Sequence, residues 1–235
     1  MSGQLKALIL QHEEPTPPGY LGEWLDGQGA EITVHRIDLA PDVDVDPREY
    51  DMIASLGSEY AAFDDTKAFI PSESRLMRRA VEADVPVLGL CFGGQLLARV
   101  MGGESFRHTR SEIGWLPVRT KDPELVDEGP WFQWHFDSFT VPPGGTLIAD
   151  SDVGPQAYTL GRSLGLQFHP EVTVEIMESW VKAYRHELDG DGVDPDKLLE
   201  ETHRLAPDVR RRSDRLFNRF LTRVARLTSE GVRGS

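Results

Sequence analysis

The chain has 235 residues, with 25 basic and 39 acidic side chains and a formal net charge of −14, which argues against general binding to nucleic acids or anionic membranes. Its length suits one well-packed α/β domain and leaves little for a second. A single cysteine, Cys91, excludes an internal disulfide and fits a reducing cytosol, so the predicted location is cytoplasmic.

The first half of the chain alternates apolar runs with amphipathic segments. Strands are predicted over residues 5–10, 31–37, 50–56 and 85–90, and helices over residues 20–27, 71–83 and 92–101. The apolar run at residues 7–10 is far too short for a signal peptide or a membrane span. Strands and helices that alternate through short links are typical of a doubly wound, mostly parallel α/β sheet, whose ligand site lies beyond the carboxyl ends of the strands.

After Gly103 the pattern changes to short apolar runs between Gly- and Pro-containing turns. Strands are predicted over residues 104–108, 115–120, 131–136, 146–150, 157–160 and 164–168. We expect several of them to pair antiparallel and to extend the sheet. A helix is predicted over residues 174–187, followed by a Gly- and Asp-rich break over residues 189–196.

A long amphipathic helix is predicted over residues 207–227, with an apolar stripe on one side and arginines on the other. We interpret the arginines as a solvated face against an acidic body, and the alternative is a docking surface for an acidic partner. The predicted domains are an α/β domain over residues 1–188 and a C-terminal helical extension over residues 189–235, packed on or beside it.

Cys91 stands where a buried strand turns into a helix, between Gly89 and Gly93. Gly-x-Cys-x-Gly is the thiol counterpart of the nucleophile elbow, a strained turn without room for neighbouring Cβ atoms. Such a turn points the sulfur at a helix N-terminus, whose dipole favours the thiolate, and offers the N–H of Phe92 to an oxyanion. A lone cysteine is also commonly a small core residue, so this motif alone leaves both interpretations open.

A second motif, Gln-Phe-His-Pro-Glu, occupies residues 167–171. Residues two apart on an extended chain project to the same side, and Pro170 keeps the preceding residue extended. His169 and Glu171 can therefore form the base and the orienting carboxylate of a Cys–His–acid triad with Cys91. No metal site is predicted, because His108 and His135 lack metal-ligand spacing with any cysteine or other histidine.

The two motifs together, Gly-x-Cys-x-Gly-x-Gln at residues 89–95 and Gln-Phe-His-Pro-Glu, resemble the class I (triad) glutamine amidotransferases. The likeness is greatest to stand-alone proteins similar to the glutaminase domain of GMP synthase, and it covers roughly residues 5 to 185. It implies a flavodoxin-like α/β fold with an antiparallel extension. It also implies that Cys91, His169 and Glu171 are catalytic and that no cofactor is needed.

The resemblance assigns an oxyanion hole to two backbone N–H groups. Gly57 aligns with the glycine whose N–H joins that of Phe92 in the family. The family usually has Gly-Gly-Pro in this loop, whereas this chain has Leu56-Gly57-Ser58. The second donor is expected at Gly57, in a loop of different composition, and the alternative is an ordinary turn glycine.

The resemblance also indicates where substrate binds. Gln95, one helical turn past Cys91, aligns with a glutamine that contacts the substrate, and the alternative is an exposed glutamine on the helix surface. Gly94 stands where the family often has His or Met, and we interpret it as widening the pocket. One segment aligns with the part of related enzymes that holds the amino and carboxyl groups of glutamine: Trp134, His135, Phe136 and Asp137.

The activity implied by the resemblance is hydrolysis of the glutamine side-chain amide through a γ-glutamyl thioester, giving glutamate and ammonia. Family members usually pass ammonia to a synthase, and about 50 residues after the His-Pro-Glu helix are too few for one, so we expect the acceptor on a separate protein. One alternative is a γ-glutamyl amide or peptide hydrolase with the same triad. Another is a non-catalytic or redox-sensing α/β protein, although such relatives generally lack His-Pro-Glu.

Overall fold

The computed structural model describes residues 4–227, so the outer ends of the two predicted domains, residues 1–3 and 228–235, lie outside the described residues. The strands are β1 (Lys6–Gln11), β2 (Glu31–Arg36), β3 (Met52–Ser55), β4 (Val87–Leu90), β5 (Ser105–Leu116), β6 (Arg119–Thr120), β7 (Trp131–Phe139), β8 (Thr146–Asp150), β9 (Pro155–Leu160) and β10 (Ser163–Leu166). The α-helices are α1 (Gly19–Gly27), α2 (Phe69–Glu82), α3 (Phe92–Val100), α4 (Val174–Ala183), α5 (Arg185–Asp191) and α6 (Pro195–Arg219).

The main sheet of the described residues has the strand order β2-β1-β3-β4-β10-β9-β8-β6. Neighbours from β2 to β10 pair parallel, and β9, β8 and β6 join antiparallel. The predicted mostly parallel sheet with an antiparallel extension is thereby confirmed. Strands β3, β4 and β10 are buried along their whole length, because helices cover both faces of a parallel sheet.

Two apolar clusters cover the two faces of the sheet. One contains side chains of α1, α4 and α6, among them Leu21, Trp180 and Phe217. The other contains side chains of α2 and α3, among them Met77 and Leu97. Because β1, β3, β4 and β10 run parallel, the residues that follow them lie at one edge of the sheet, where ligands bind in this architecture.

Strand β5 differs from its prediction. The sequence pattern predicts two strands, over residues 104–108 and 115–120, but β5 is continuous and pairs antiparallel with β7. The register shifts between Arg107 and Glu112, so an irregular segment joins two paired halves of one strand. Beyond β5, only the two residues of β6 remain of the second predicted strand.

The C-terminal helix begins well before its predicted start at Pro207. Asp194 caps α6 by accepting the N–H groups of Asp196 and Lys197, with Pro195 in the first turn. Pro207 lies inside the helix on its exposed side, where the carbonyl that loses its partner can be hydrated. The helix predicted over residues 174–187 is likewise divided, into α4 and α5.

The arginines of α6 and of the π-helical turn that follows it face acidic residues of the same chain. Arg212 and Arg215 each lie 3.2 Å from Asp127, and Arg223 lies 3.0 Å from Asp122. These contacts agree with the interpretation of the arginines as a face against an acidic body. None of the helices in residues 4–227 combines the length and the apolar character that a membrane crossing requires.

Candidate active site

Cys91 forms a strained turn between β4 and α3. Its φ of 49° and ψ of −106° are unusual for a residue with a side chain. A Cβ atom on Gly89 would lie 2.5 Å from the Gly93 oxygen, and one on Gly93 would lie 2.2 Å from the Ser55 oxygen. Only glycine fits at either position, so the elbow geometry depends on both. The side chain of Cys91 lines a cleft at the carboxyl edge of the sheet.

His169 and Glu171 follow β10 at the same edge. The Nδ1 atom of His169 lies 2.7 Å from Oε1 of Glu171, and each side chain is only 3% exposed. The N–H of His169 donates to the oxygen of Phe132 at 2.9 Å, and the Trp180 ring contacts the imidazole edge-on at 4.9 Å. The imidazole is therefore held by a carboxylate, the β7 backbone and α4.

The side chains of Cys91 and His169 both lie beside Gly57. A Cβ atom added to Gly57 would lie 2.9 Å from Cε1 of His169 and 3.9 Å from Cβ of Cys91. The Nε2 atom of His169 is buried and makes no hydrogen bond within residues 4–227. Catalytic contacts are often long in unliganded enzymes and tighten when substrate binds. This nitrogen is thus available to a thiol or to a departing amine.

The neighbours of His169 change the pKa of its imidazole. Burial alone would lower it, but the Glu171 carboxylate and the Cys91 sulfur outweigh that effect and raise the pKa to about 10. The imidazole is consequently held in its protonated form near neutral pH. A protonated histidine beside a cysteine favours the thiolate, which is the nucleophilic form.

The first turn of α3 and the loop after β3 supply backbone donors. Phe92 is the first residue of α3, and a helix start leaves its first N–H groups without intrahelical partners. The N–H of Gly93 donates to the Leu56 oxygen at 3.2 Å, which fixes the peptide group whose other end is the Gly57 N–H. Gly57 and Phe92 both line the cleft.

The residues predicted to contact substrate all line the cleft, but several of their polar atoms are bound by protein. Nε2 of Gln95 donates to Oε1 of Gln167 at 3.1 Å and to the backbone carbonyl oxygen of Asp137 at 3.3 Å. Nε1 of Trp134 donates to Glu187 at 2.7 Å. Their direct contact with substrate stays a prediction.

His135 is buried between two acceptors. Its Nδ1 atom lies 3.0 Å from the backbone carbonyl oxygen of Asp137, and its Nε2 atom lies 3.1 Å from Oε2 of Glu112. Burial alone would raise the pKa of Glu112, but hydrogen bonds from His135, Ser151 and Gln156 lower it. The imidazole therefore stiffens the cleft wall.

Comparison with known proteins identifies the architecture that carries this site. The family model for the class-I glutamine amidotransferases matches residues 29–182, about two thirds of the chain, including the elbow and the His-Pro-Glu motif. The chain belongs to the class I glutamine amidotransferases.

Individual relatives agree with the family. A glutamine-hydrolyzing GMP synthase of Thermus thermophilus is 34% identical over 158 residues, which are 62% of this chain and 30% of that protein. A single subunit of the glutamine-hydrolyzing GMP synthase of Sulfolobus acidocaldarius is 28% identical over 172 residues, 66% of this chain and 88% of that protein. A solved glutamine amidotransferase of Thermotoga maritima superposes with a TM-score of 0.85 at 28% identity, over 93% of this chain and 99% of that one. The match thus spans less than a third of the Thermus protein.

Two polar residues at this amidotransferase site were missed in the sequence: Arg107 lines the cleft, and Gln167 lies behind it. Nε2 of Gln167 lies 3.7 Å from the Cys91 sulfur and donates to it. Gln167 is two residues before His169, so the same alternation that paired His169 with Glu171 signals it. Arg107 lies 3.1 Å from Asp137 and is directly opposite it in the β5–β7 register. No local sequence pattern indicates this strand register.

Gly94 does not widen the amidotransferase pocket, contrary to the interpretation from its sequence. A Cβ atom there would lie 2.5 Å from the Leu166 oxygen, so the glycine permits close packing of α3 on β10. Its own carbonyl accepts the hydroxyl of Tyr158 at 2.8 Å. Among residues 4–227, no group of three His, Cys, Asp or Glu side chains is placed to hold a metal ion.

Proposed function

We propose that this chain hydrolyses the side-chain amide of glutamine to glutamate and ammonia, with Cys91, His169 and Glu171 as its catalytic triad. The observation that carries the proposal is the 2.7 Å contact between His169 and Glu171 beside the Cys91 elbow. Membership of the class I amidotransferases supports the same chemistry. The reaction needs a nucleophile, a proton donor and oxyanion donors, and we assign these roles to Cys91, His169 and two backbone N–H groups.

In the first half of the reaction, the Cys91 sulfur attacks the side-chain carbonyl carbon of glutamine. A sulfur–carbon bond forms, and the carbonyl oxygen becomes an oxyanion. As the carbon–nitrogen bond breaks, protonated His169 gives its Nε2 proton to the leaving nitrogen. Ammonia departs, and a γ-glutamyl thioester remains on Cys91.

In the second half, water completes the hydrolysis. Neutral His169 takes a proton from the water while the water oxygen attacks the thioester carbon. The carbon–sulfur bond breaks, glutamate leaves, and the thiolate–imidazolium pair is restored. Glu171 keeps Nδ1 protonated through both halves, so Nε2 exchanges the proton.

The oxyanion is proposed to bind the N–H groups of Gly57 and Phe92. Loss of one such donor typically costs about 10²–10³ in kcat. Glutamine carries an α-carboxylate and an α-ammonium group. Side chains of opposite charge to each line the cleft: the guanidinium of Arg107 and the carboxylates of Glu59 and Glu187. We propose that the first binds the carboxylate and the others the ammonium group.

The ammonia is proposed to reach an acceptor on a separate protein. One relative is named as a subunit of a glutamine-hydrolyzing GMP synthase, and another is a much longer GMP synthase of which this chain matches 30%. Both names join glutamine hydrolysis to a synthase, which supports the proposal of a separate acceptor.

Covalent labelling with 6-diazo-5-oxo-norleucine, a reactive glutamine analogue, tests the proposal. We expect labelling confined to Cys91 and slowed by glutamine, together with glutamate release that Cys91→Ser abolishes. Labelling that glutamine leaves unchanged, with turnover of γ-glutamyl peptides only, would support the γ-glutamyl hydrolase instead. Absence of all turnover in the wild-type chain would leave only a reactive thiol.

A further inference from the structure

A further buried histidine–carboxylate pair lies behind Gly57. His12 follows β1 and Glu73 belongs to α2, and neither side chain has any solvent exposure. The Nε2 atom of His12 lies 3.0 Å from Oε2 of Glu73, and its Nδ1 atom lies 3.0 Å from the Gly57 oxygen. The pair does not line the cleft, so its connection to the site runs through the Gly57 peptide.

The protonation of His12 follows from its partners. A carbonyl oxygen can only accept a hydrogen bond, so Nδ1 carries a proton and donates a hydrogen bond to the Gly57 oxygen. Nε2 faces Oε2 of Glu73 at 3.0 Å, where two lone pairs would repel, so a second proton lies between them. The other oxygen of this carboxylate accepts the hydroxyl of Ser55 at 2.6 Å. Burial lowers the pKa of His12, but Glu73 outweighs it and raises the pKa overall.

The surroundings of His12 leave this pair isolated from water. The ring centroids of Phe69 and Phe92 lie 5.5 Å and 4.6 Å from the imidazole centroid. Glu73, from α2, and Glu13, in the loop after β1, are the charged groups acting on it in residues 4–227. In such a setting a hydrogen bond is strong, and its loss leaves a buried acceptor unpaired.

The hydrogen bond from His12 completes the anchoring of Gly57. The carbonyl before Gly57, that of Leu56, accepts the N–H of Gly93, and the carbonyl of Gly57 accepts from His12. With both flanking peptide groups held, the backbone at Gly57 cannot rotate freely, although glycine itself imposes little restriction. Glu13 holds the next residues, because its Oε1 atom accepts the Ser58 hydroxyl at 2.6 Å.

We propose that His12, held by Glu73, is a positioning residue that fixes the Gly57 N–H as an oxyanion donor. The inference rests on the proposed glutamine hydrolysis. Preorganised donors stabilise a developing oxyanion because they need no reorganisation during the reaction. Loosening one should therefore lower kcat more than it raises KM, since the oxyanion exists only after attack.

Two substitutions separate the ends of the imidazole. The amide nitrogen of His12→Asn can stand where Nδ1 stands and still donate to the Gly57 oxygen. In His12→Gln the longer side chain reaches Glu73 and leaves the Gly57 oxygen without its donor. We expect His12→Gln to lose about tenfold or more in kcat, less than removal of a whole donor would cost, and His12→Asn to recover most of that loss.

Alkylation of Cys91 by iodoacetamide provides the readout that a merely structural role would move. The sulfur displaces iodide from carbon, and no oxyanion forms, so we expect both variants to be alkylated within about twofold of the wild-type rate while glutamine turnover falls in His12→Gln. Equal loss of turnover and alkylation, equal turnover in the two variants, or unchanged kcat in His12→Gln would each overturn the positioning role. If the wild-type chain is alkylated but releases no glutamate, the proposed function itself fails and this inference with it.

Discussion

The hydroxyl of Ser213 donates to the carbonyl oxygen of Pro170 at 2.6 Å. Ser213 is a fully buried residue of α6, and Pro170 lies between the two residues of the histidine–carboxylate pair. The C-terminal helix thus contacts the active-site segment directly, although it contributes no residue to the cleft lining. This contact gives the C-terminal helix a testable role in the reaction.

Ser213→Ala should destabilise the protein and lower the kcat of glutamine hydrolysis. The substitution leaves the Pro170 carbonyl as a buried acceptor without its donor, which costs about 1–3 kcal/mol of the free energy of unfolding. A small loss of kcat should accompany it, because the segment carrying His169 and Glu171 loses an anchor. Denaturant unfolding and steady-state kinetics measure the two effects. Ser179→Ala, on the exposed side of α4, is the matched control, and an equal effect there would contradict the role of the contact.

Glu171→Gln should move the basic limb of the activity profile to lower pH. The Glu171 carboxylate and its hydrogen bond are causes of the raised pKa of His169, and loss of a neighbouring opposite charge shifts a pKa by about 1–3 units. The proton needed by the leaving amine is then lost earlier as pH rises. Glu178→Gln, an exposed carboxylate beside His203, serves as control. The same kcat profile in Glu171→Gln and wild type would refute the assignment.

The pH dependence of stability should reveal the same proton. The pKa of His169 is raised from 6.5 to about 10 in the folded state. A raised histidine pKa stabilises the fold fully below the unfolded value, and this contribution is lost as pH rises through the folded value. The difference in free energy of unfolding between wild type and His169→Asn should therefore shrink between pH 7 and pH 10. His203→Asn, at an exposed site, should show no such trend; a constant difference for His169→Asn would count against the raised pKa.

Gln167→Leu should slow alkylation of Cys91. The amide of Gln167 donates to the sulfur and also accepts from Gln95, so the substitution removes a donor that favours the thiolate. A hydrogen bond worth about 1 kcal/mol corresponds to roughly a fivefold slower reaction. Gln133→Leu is the matched control, since Gln133 is equally buried but bonds to Gln156. An equal rate in both variants would exclude the donation from Gln167.

The sequence predicted those parts of the fold and site that depend on local patterns. Cys91 lies at a strand–helix junction marked by glycines, and His169 and Glu171 share one side of an extended segment. Each pattern involves only a few consecutive residues, so the elbow and the histidine–carboxylate pair could be located without tertiary information. The direct contact of Gln95 and residues 134–137 with substrate stays a prediction.

Contacts set by tertiary packing could not be predicted in the same way. His12 meets Glu73 because the end of β1 and the start of α2 lie together at the sheet edge, and neither residue has a distinctive neighbour in the chain. The predicted start of α6 at Pro207 was wrong because Asp194 and Pro195 provide a better helix start. The interpretation of Gly94 was wrong because its direction relative to β10 is visible only in the fold.

A γ-glutamyl thioester on Cys91 is the intermediate on which the proposed glutamine hydrolysis depends. Its most direct test is acid quenching of the wild-type protein during turnover, followed by mass measurement of the peptide that contains Cys91. We predict a mass gain of one γ-glutamyl group on Cys91, with ammonia and glutamate released in equal amounts. Glutamate release that continues in Cys91→Ser, or turnover of glutamine without any adduct on this residue in rapid-quench samples, would contradict it.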